Sequence, residues 1–405
     1  MNKVCYNDCR NEHSLDSVVR RIILKIRSNR LLWGNFYGFI IMGMIVLFLG
    51  SNMPNISEQY HLSYVQGGLI LSFFAAGSLI FGFICGIIGD FIGMKRVLVF
   101  AHVLNTIGLL VFALSSSVFV LYIGVFIIGA GTGAFSISVN MIVSDFVHGD
   151  GRIMSLLHMS FGVGAFIIPV ISNHAVQLGF QWRSVLILLV ILEIVSLILS
   201  VNMKVHLQHH TAEDKPSNKK VLKNWRIYIF MAILFFYVGA ENSINGWIVT
   251  YLIHGLELSK SFANNTLSVF WIVMMLGRFI NSIISQKLHK EDILLFSSMG
   301  ALAMIILFMN ATNPVLIVII IALLAFMFSG IYPLTFANAN PIIRGSGSAG
   351  AMITSGGALG SVTIPYMSGL ASEWVGVKGV LITVFIALIF MTIFTIINKK
   401  AQVKS

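Results

Sequence analysis

Charge is scarce in this chain: 10% of its 405 residues are Asp, Glu, Lys or Arg, 57% are hydrophobic, and the mean hydropathy is +0.90. Soluble domains carry about 25% charged residues. A water-soluble core is therefore excluded. Cysteine is scarcer: Cys5, Cys9 and Cys85 make an odd count, two of them on an N-terminal tail placed in the cytoplasm, where thiols stay reduced. With His13 they are too few to read as a metal site, and no metal is assigned. Nucleophile elbow, P-loop and metal-ligand cluster are all missing, so neither an enzyme nor a cofactor is expected. The glycine-rich GAGTGAF, residues 129–135, lies inside an apolar run and reads as helix packing. No typical signal peptide opens the chain, because Arg20, Arg21, Lys25 and Arg27 break its apolar positions.

What the chain does have is length of apolar run. Residues 226–253 contain Glu241 as their sole acid and Arg226 as their sole Lys or Arg, and roughly 20 such residues suffice to cross a bilayer. Twelve spans are read in this way, at about 33–53, 64–88, 97–116, 118–144, 154–176, 183–203, 226–253, 262–285, 292–310, 315–338, 347–370 and 377–397. With both termini inside, only Arg183, Lys260 and Lys378 of the 26 Lys and Arg fall in outer loops, and Arg278 alone lies within a span. The positive-inside rule supports that topology. The net charge of +11 then reflects loop asymmetry and attraction to anionic inner-leaflet lipid; no nucleic-acid surface is indicated.

The expected fold is an all-α membrane protein of twelve transmembrane helices in two six-helix halves, a monomer in a cell membrane, with a bacterial inner membrane the expected location. A basic cytoplasmic segment (1–32) precedes the first half (33–203), a polar linker (204–225) joins it to the second (226–398), and a short tail (399–405) follows. SLDSVVRRIILKIRSNR suits either a helix lying in the membrane interface or a disordered basic tail. His209 and His210 read as solvated linker residues. Two halves about a cytoplasmic linker are the layout in which repeats rock around a midplane cavity.

The loop after the second span, GIIGDFIGMKRVLV (86–99), narrows the reading further. Gly86, Asp90, Gly93 and the basic pair Lys95 and Arg96 have a spacing that resembles the loop signature of the major facilitator superfamily; Phe91 and Met94 stand where that family commonly has basic residues. The resemblance implies that those five residues form a conformational switch loop, whose charge network holds one alternating-access state. LLHMSFGVGAFIIP (156–169), FYVGAENSINGW (236–247), SVFWIVMMLGRF (268–279) and SGIYPL (329–334) resemble segments of the fucose permease and glucose/mannose proton symporter branch, which implies a proton-driven hexose importer. Drug/proton antiport, the alternative, is disfavoured because GVGAFIIPVISN (162–173) lacks that group's Gly-Pro pair and later glycines.

Glu241 interrupts the seventh span, and burying a lone carboxylate in lipid costs several kcal/mol. On a helix Tyr237, Glu241 and Asn245 share a face, which could present a phenol, an acid and an amide to a polyhydroxylated ligand, with Trp247 and Tyr251 as aromatic surface. Glu241 could also carry the coupling proton; Glu193, in the middle of the sixth span, is the second proton-coupling residue expected. Asn140, His158, Trp271, Asn281 and Tyr332 complete the expected substrate contacts, with Asn52 a further hydroxyl partner and Arg278 the anchor of a charge network. Small-molecule solute, proton and lipid are the partners this reading calls for.

Overall fold

The computed structural model describes residues 30–147, 151–203, 224–343 and 347–403. These form twelve long helices and no strand: α1 (Arg30–Tyr60), α2 (Tyr64–Ile92), α3 (Met94–Ala113), α4 (Val118–Phe146), α5 (Gly151–Gln177), α6 (Trp182–Val201), α7 (Trp225–His254), α8 (Lys260–Ile284), α9 (Lys290–Asn310), α10 (Pro314–Ile343), α11 (Gly347–Val375) and α12 (Gly379–Val403). Eleven stretches are long and apolar enough to cross a membrane, and the last of them, Gly350–Ala401, takes in most of both α11 and α12, divided by the one-turn helix Gly376–Lys378. The segment before residue 30 and the linker through 223 lie outside the described residues, and with them the readings made of the basic tail, Cys5, Cys9, His13, His209 and His210.

Helix ends follow local chemistry. Ser63 caps α2 in a capping box, its Oγ accepting from Gln66 N at 3.3 Å while Gln66 Oε1 accepts from Ser63 N at 3.0 Å. Ser117 and Ser259 cap α4 and α8 in the simpler way. A single residue, Gly93, separates α2 from α3 with φ of 89°, a conformation that side chains rarely adopt.

Large apolar side chains such as Phe91, Leu114, Phe119 and Trp374 point outward, as a lipid-facing surface requires. Between helices in lipid there is little hydrophobic drive, so small residues that allow close approach decide the packing. Gly129 and Gly133 set α4 against the carbonyls of Phe74 and Ser78 on α2, which is the packing role read from GAGTGAF.

The first six helices pack on one another, as do the last six, and the halves meet chiefly through α1 with α7, α2 with α11, and α5 with α8. These contacts are uneven along the bundle. At the end away from Lys95 and Arg96, Ser51 Oγ donates to Asn264 Oδ1 (2.6 Å), Ser72 Oγ to the Val362 carbonyl (2.6 Å), Ser268 Oγ to the Phe166 carbonyl (3.0 Å), Asn173 Nδ2 to Ser261 Oγ (3.1 Å) and Lys260 Nζ to Asn55 Oδ1 (2.9 Å). Tyr64 packs its ring on Trp247, 6.1 Å between centroids. Gly50 lies so close to α7 that a Cβ there would collide with the Asn245 carbonyl. The bundle is thus sealed at the end opposite the basic loop.

Candidate functional site

Below that seal the halves diverge around a cavity of about 540 Å³, within the range of small-molecule sites. Its wall comes from α1 (Met42 to Gly50), α2 (Leu71 to Phe83), α4 (Thr132 to Asn140), Phe161 of α5, α7 (Asn242 to Gly246) and α11 (Ala351 to Pro365). Phe83, Asn140 and Ala351 lie toward the basic ends of their helices, so the space runs from mid-bundle to the basic end. Among the described residues, none that lines the wall is ionisable. The polar groups are amides and hydroxyls: Ser78, Thr132, Ser136 and Asn140 from the first half, and Asn242, Asn245, Thr354, Ser355 and Ser361 from the second.

Several of these groups are held in place. Asn242 Nδ2 donates to the Val238 carbonyl and to Ser361 Oγ, each at 3.0 Å, tying α7 to α11. Asn140 Nδ2 donates to the Ser136 carbonyl at 2.8 Å, which leaves its oxygen without a described bond. Asn245 Oδ1 accepts from Trp271 Nε1 at 3.2 Å, so Trp271 orients a wall residue and is itself buried.

Of the residues expected from sequence to meet the solute, only Asn140 and Asn245 lie on this wall. Glu241 is half-buried one turn from Asn245, in the neighbourhood of Tyr237, Tyr332 and Arg278. Among the described residues Glu241 and Arg278 form no ion pair, and the charge of Arg278 is also felt at His158, across the halves. Tyr237 is 1% exposed, edge-on to Phe328, and its hydroxyl lies toward Glu241 without a well-formed hydrogen bond. His158 is exposed in the interior and edge-on to Phe39; Tyr332, also exposed, packs on Phe336.

Trp247, Tyr251 and Asn281 are placed differently from what the sequence suggested. Trp247 is buried in the seal, its Nε1 donating to the Pro365 carbonyl at 3.4 Å. Tyr251 is buried against Phe308. Asn281 is occupied by the Gly277 carbonyl (3.0 Å) and Ser329 Oγ (2.9 Å), joining α8 to α10. Each sits in a helix interface because period 3.6 places it on the core-facing side, which an all-apolar flank conceals in sequence. Asn52 likewise bonds to Ser172 Oγ at 2.9 Å, inside the first half.

At the junction of α2 and α3, Lys95 Nζ donates to the Val201 carbonyl at 2.8 Å and Arg96 to the Ile92 carbonyl at 3.1 Å, so both cations cover helix C-termini of the first half. Gly86 faces Ile137 of α4, and Asp90 is exposed, with no hydrogen bond or ion pair to a described residue.

Glu193 lies outside the cavity. Its Oε1 accepts from His102 Nδ1 at 2.8 Å and from Asn105 Nδ2 at 3.1 Å, both on α3. Sequence reasoning missed these partners because it looked for company on the acid's own helix; a histidine and an asparagine three apart in an apolar span, His102 and Asn105, were the available signal.

A family model described as Major Facilitator Superfamily matches residues 31–352. Among curated proteins, the chain is 24% identical over 311 residues to a "Protein TsgA homolog" of Buchnera aphidicola subsp. Schizaphis graminum, covering 76% of this chain and 79% of that protein. A homologue of the same description from Yersinia pestis is 26% identical over 309 residues, covering 75% and 78%. Among solved structures, a mutant of the nucleoside transporter NupG superposes with a TM-score of 0.74 at 15% identity, covering 92% of this chain and 99% of that one. A D-xylose-proton symporter gives 0.71 at 14% identity, covering 89% and 96%. At such identities the structural likeness speaks for the fold alone.

Proposed function

Because the chain belongs to the major facilitator superfamily, we propose that it is a secondary transporter carrying a small, neutral, polyhydroxylated solute, a hexose first, by proton-coupled alternating access. The observation that carries this reading is the cavity between the halves, lined by hydroxyls and amides and by no charged side chain among the described residues. Such a wall can exchange hydrogen bonds with a sugar's hydroxyl groups without stranding a buried charge. In this reading all twelve helices cross the membrane of a bacterial cell, both termini and the basic loops are cytoplasmic, and the structure is the inward-facing state of a monomer. The names of the structural neighbours, a nucleoside transporter and a xylose-proton symporter, lie within the same solute chemistry. Glu241, beside Asn245 and under the field of Arg278, serves as an acceptor at the edge of the solute site.

The test is uptake of radiolabelled hexoses, xylose and nucleosides into proteoliposomes, with and without an inward proton gradient. Gradient-driven accumulation of a hexose is expected. Entry of no sugar or nucleoside under any gradient would refute the solute class. The alternative, drug/proton antiport, has in its favour the apolar remainder of the wall, including Met42, Leu71, Phe74 and Phe161; efflux of a lipophilic dye from the same vesicles would identify it.

A further inference from the structure

The polar groups of the cavity wall differ in what they have left to offer a solute. Each amide is oriented by a partner with a single role, since a carbonyl only accepts and an indole N–H only donates. Asn140 and Asn242 spend their Nδ2 groups on the Ser136 and Val238 carbonyls, at 2.8 and 3.0 Å, and are left with Oδ1. Asn245 spends Oδ1 on Trp271 Nε1 and is left with Nδ2. On α11 the hydroxyls give their protons to their own helix: Thr354 and Ser355 to the Ala351 carbonyl, each at 2.8 Å, and Ser361 to the Gly357 carbonyl at 3.0 Å. Toward a solute those three oxygens can then only accept.

We propose that the α7–α11 face of the cavity, formed by Asn242, Thr354, Ser355 and Ser361, selects a solute by hydroxyl groups that donate, while an accepting oxygen of the solute turns to the Asn245 amide beside the seal. The assignment rests on the hexose reading of the solute and adds which hydrogen-bonding role its hydroxyls play and which way it sits. The opposite wall lacks this bias. Thr132 of α4 is 3% exposed and lines the cavity, yet its Oγ1 has no partner among the described residues. A buried hydroxyl left unpaired is costly, and the solute is the partner within its reach. Its proton is unspent, so Thr132 can meet a solute oxygen in either role.

The distinction has a chemical signature. A solute hydroxyl both donates and accepts; hydrogen in its place does neither, and fluorine accepts weakly without donating. Against oxygens whose protons are spent, hydrogen leaves an acceptor unmet, and fluorine in addition sets its lone pairs against theirs. Fluorine therefore ranks at or below hydrogen on the α7–α11 face. Facing Asn245 Nδ2 the order reverses, because fluorine keeps part of the accepting role. A site built around a hydroxyl rejects the analogue that lacks it, since its own buried polar groups are then left unpaired.

Full-length protein in proteoliposomes is given radiolabelled glucose, mannose or galactose, and the monodeoxy and monofluoro analogues of whichever enters compete with it, one ring position at a time. At one position or more, both analogues should bind about five- to tenfold more weakly than the parent sugar, with fluorine no better than hydrogen. Ser355→Ala, Thr354→Val and Ser361→Ala each remove one acceptor, and Thr354 and Ser355 bond only within their own helix, so their loss spares the packing. In at least one of the three variants the fluorine penalty at one such position should shrink to within about twofold. Fluorine outranking hydrogen at every position, analogues that all match the parent, or penalties unchanged in all three variants would overturn the assignment while leaving the hexose reading standing. Entry of none of the three parent sugars overturns the hexose reading and, with it, the assignment built on it.

Discussion

Replacing Gly50 by Ala places one methyl group against the Asn245 carbonyl, at the seam between α1 and α7. The clash is with backbone, which cannot rotate aside as a side chain can. Overpacking of this kind costs about 1–3 kcal/mol. The cost falls only on the sealed state, since opening that end separates α1 from α7 and removes the contact. Alanine also improves helix propensity by about 1 kcal/mol over glycine, but α1 is helical in both states and that gain cancels. The equilibrium should therefore move toward the open end by roughly five- to 150-fold. A single cysteine in place of Asn55, in protein without its native cysteines, reads this directly as faster labelling by an impermeant maleimide from the seal side. Gly162→Ala is the control, because its methyl would meet side-chain atoms of Met275, the nearest at 3.3 Å, and no backbone. Equal labelling in Gly50→Ala and its parent, or an equal acceleration in Gly162→Ala, would refute the steric account of the seal.

Three further outcomes follow from the bonding. Asn242→Ala removes a wall amide that also ties to Ser361, and a lost solute hydrogen bond worth about 0.5–1.5 kcal/mol should raise KM for the transported solute several-fold at unchanged protein yield. Asn281→Ala cuts the tie to Ser329 within the second half; a helix–helix bond in lipid is worth about 0.6 kcal/mol, so Tm in detergent should fall slightly while solute affinity is preserved, and a loss of affinity instead would place Asn281 at the solute. Asp90→Asn, at an exposed position near the end of α2, should leave Tm unchanged yet lower the maximal transport rate; an unaltered rate would remove the switch role that the loop's resemblance implies.

Much of the architecture was legible because lipid leaves few options. Apolar runs of sufficient length must be helical where no water can bond the backbone, and the expected spans coincide with the twelve helices to within several residues at each end. The loop GIIGDFIGMKRVLV and the helix-packing reading of GAGTGAF needed only local spacing. The cavity wall is less legible: Asn140 and Asn245 lie on it, but so does Asn242, one residue from Glu241 and bonded to Ser361, whereas Trp247 packs on Tyr64 in the seal.

By itself, then, the sequence determined that the chain is helical and membrane-bound, since both follow from composition and run length, and its loop GIIGDFIGMKRVLV resembles the signature of the family whose model matches the chain. The tertiary structure decided which polar residues meet. Whether an asparagine in an apolar helix lines a cavity or joins two helices depends on the rotation of that helix against neighbours far away in the chain. Glu193 and His102 are 91 residues apart, and Gly50 meets Asn245 across the two halves; no pattern within one span carries that information.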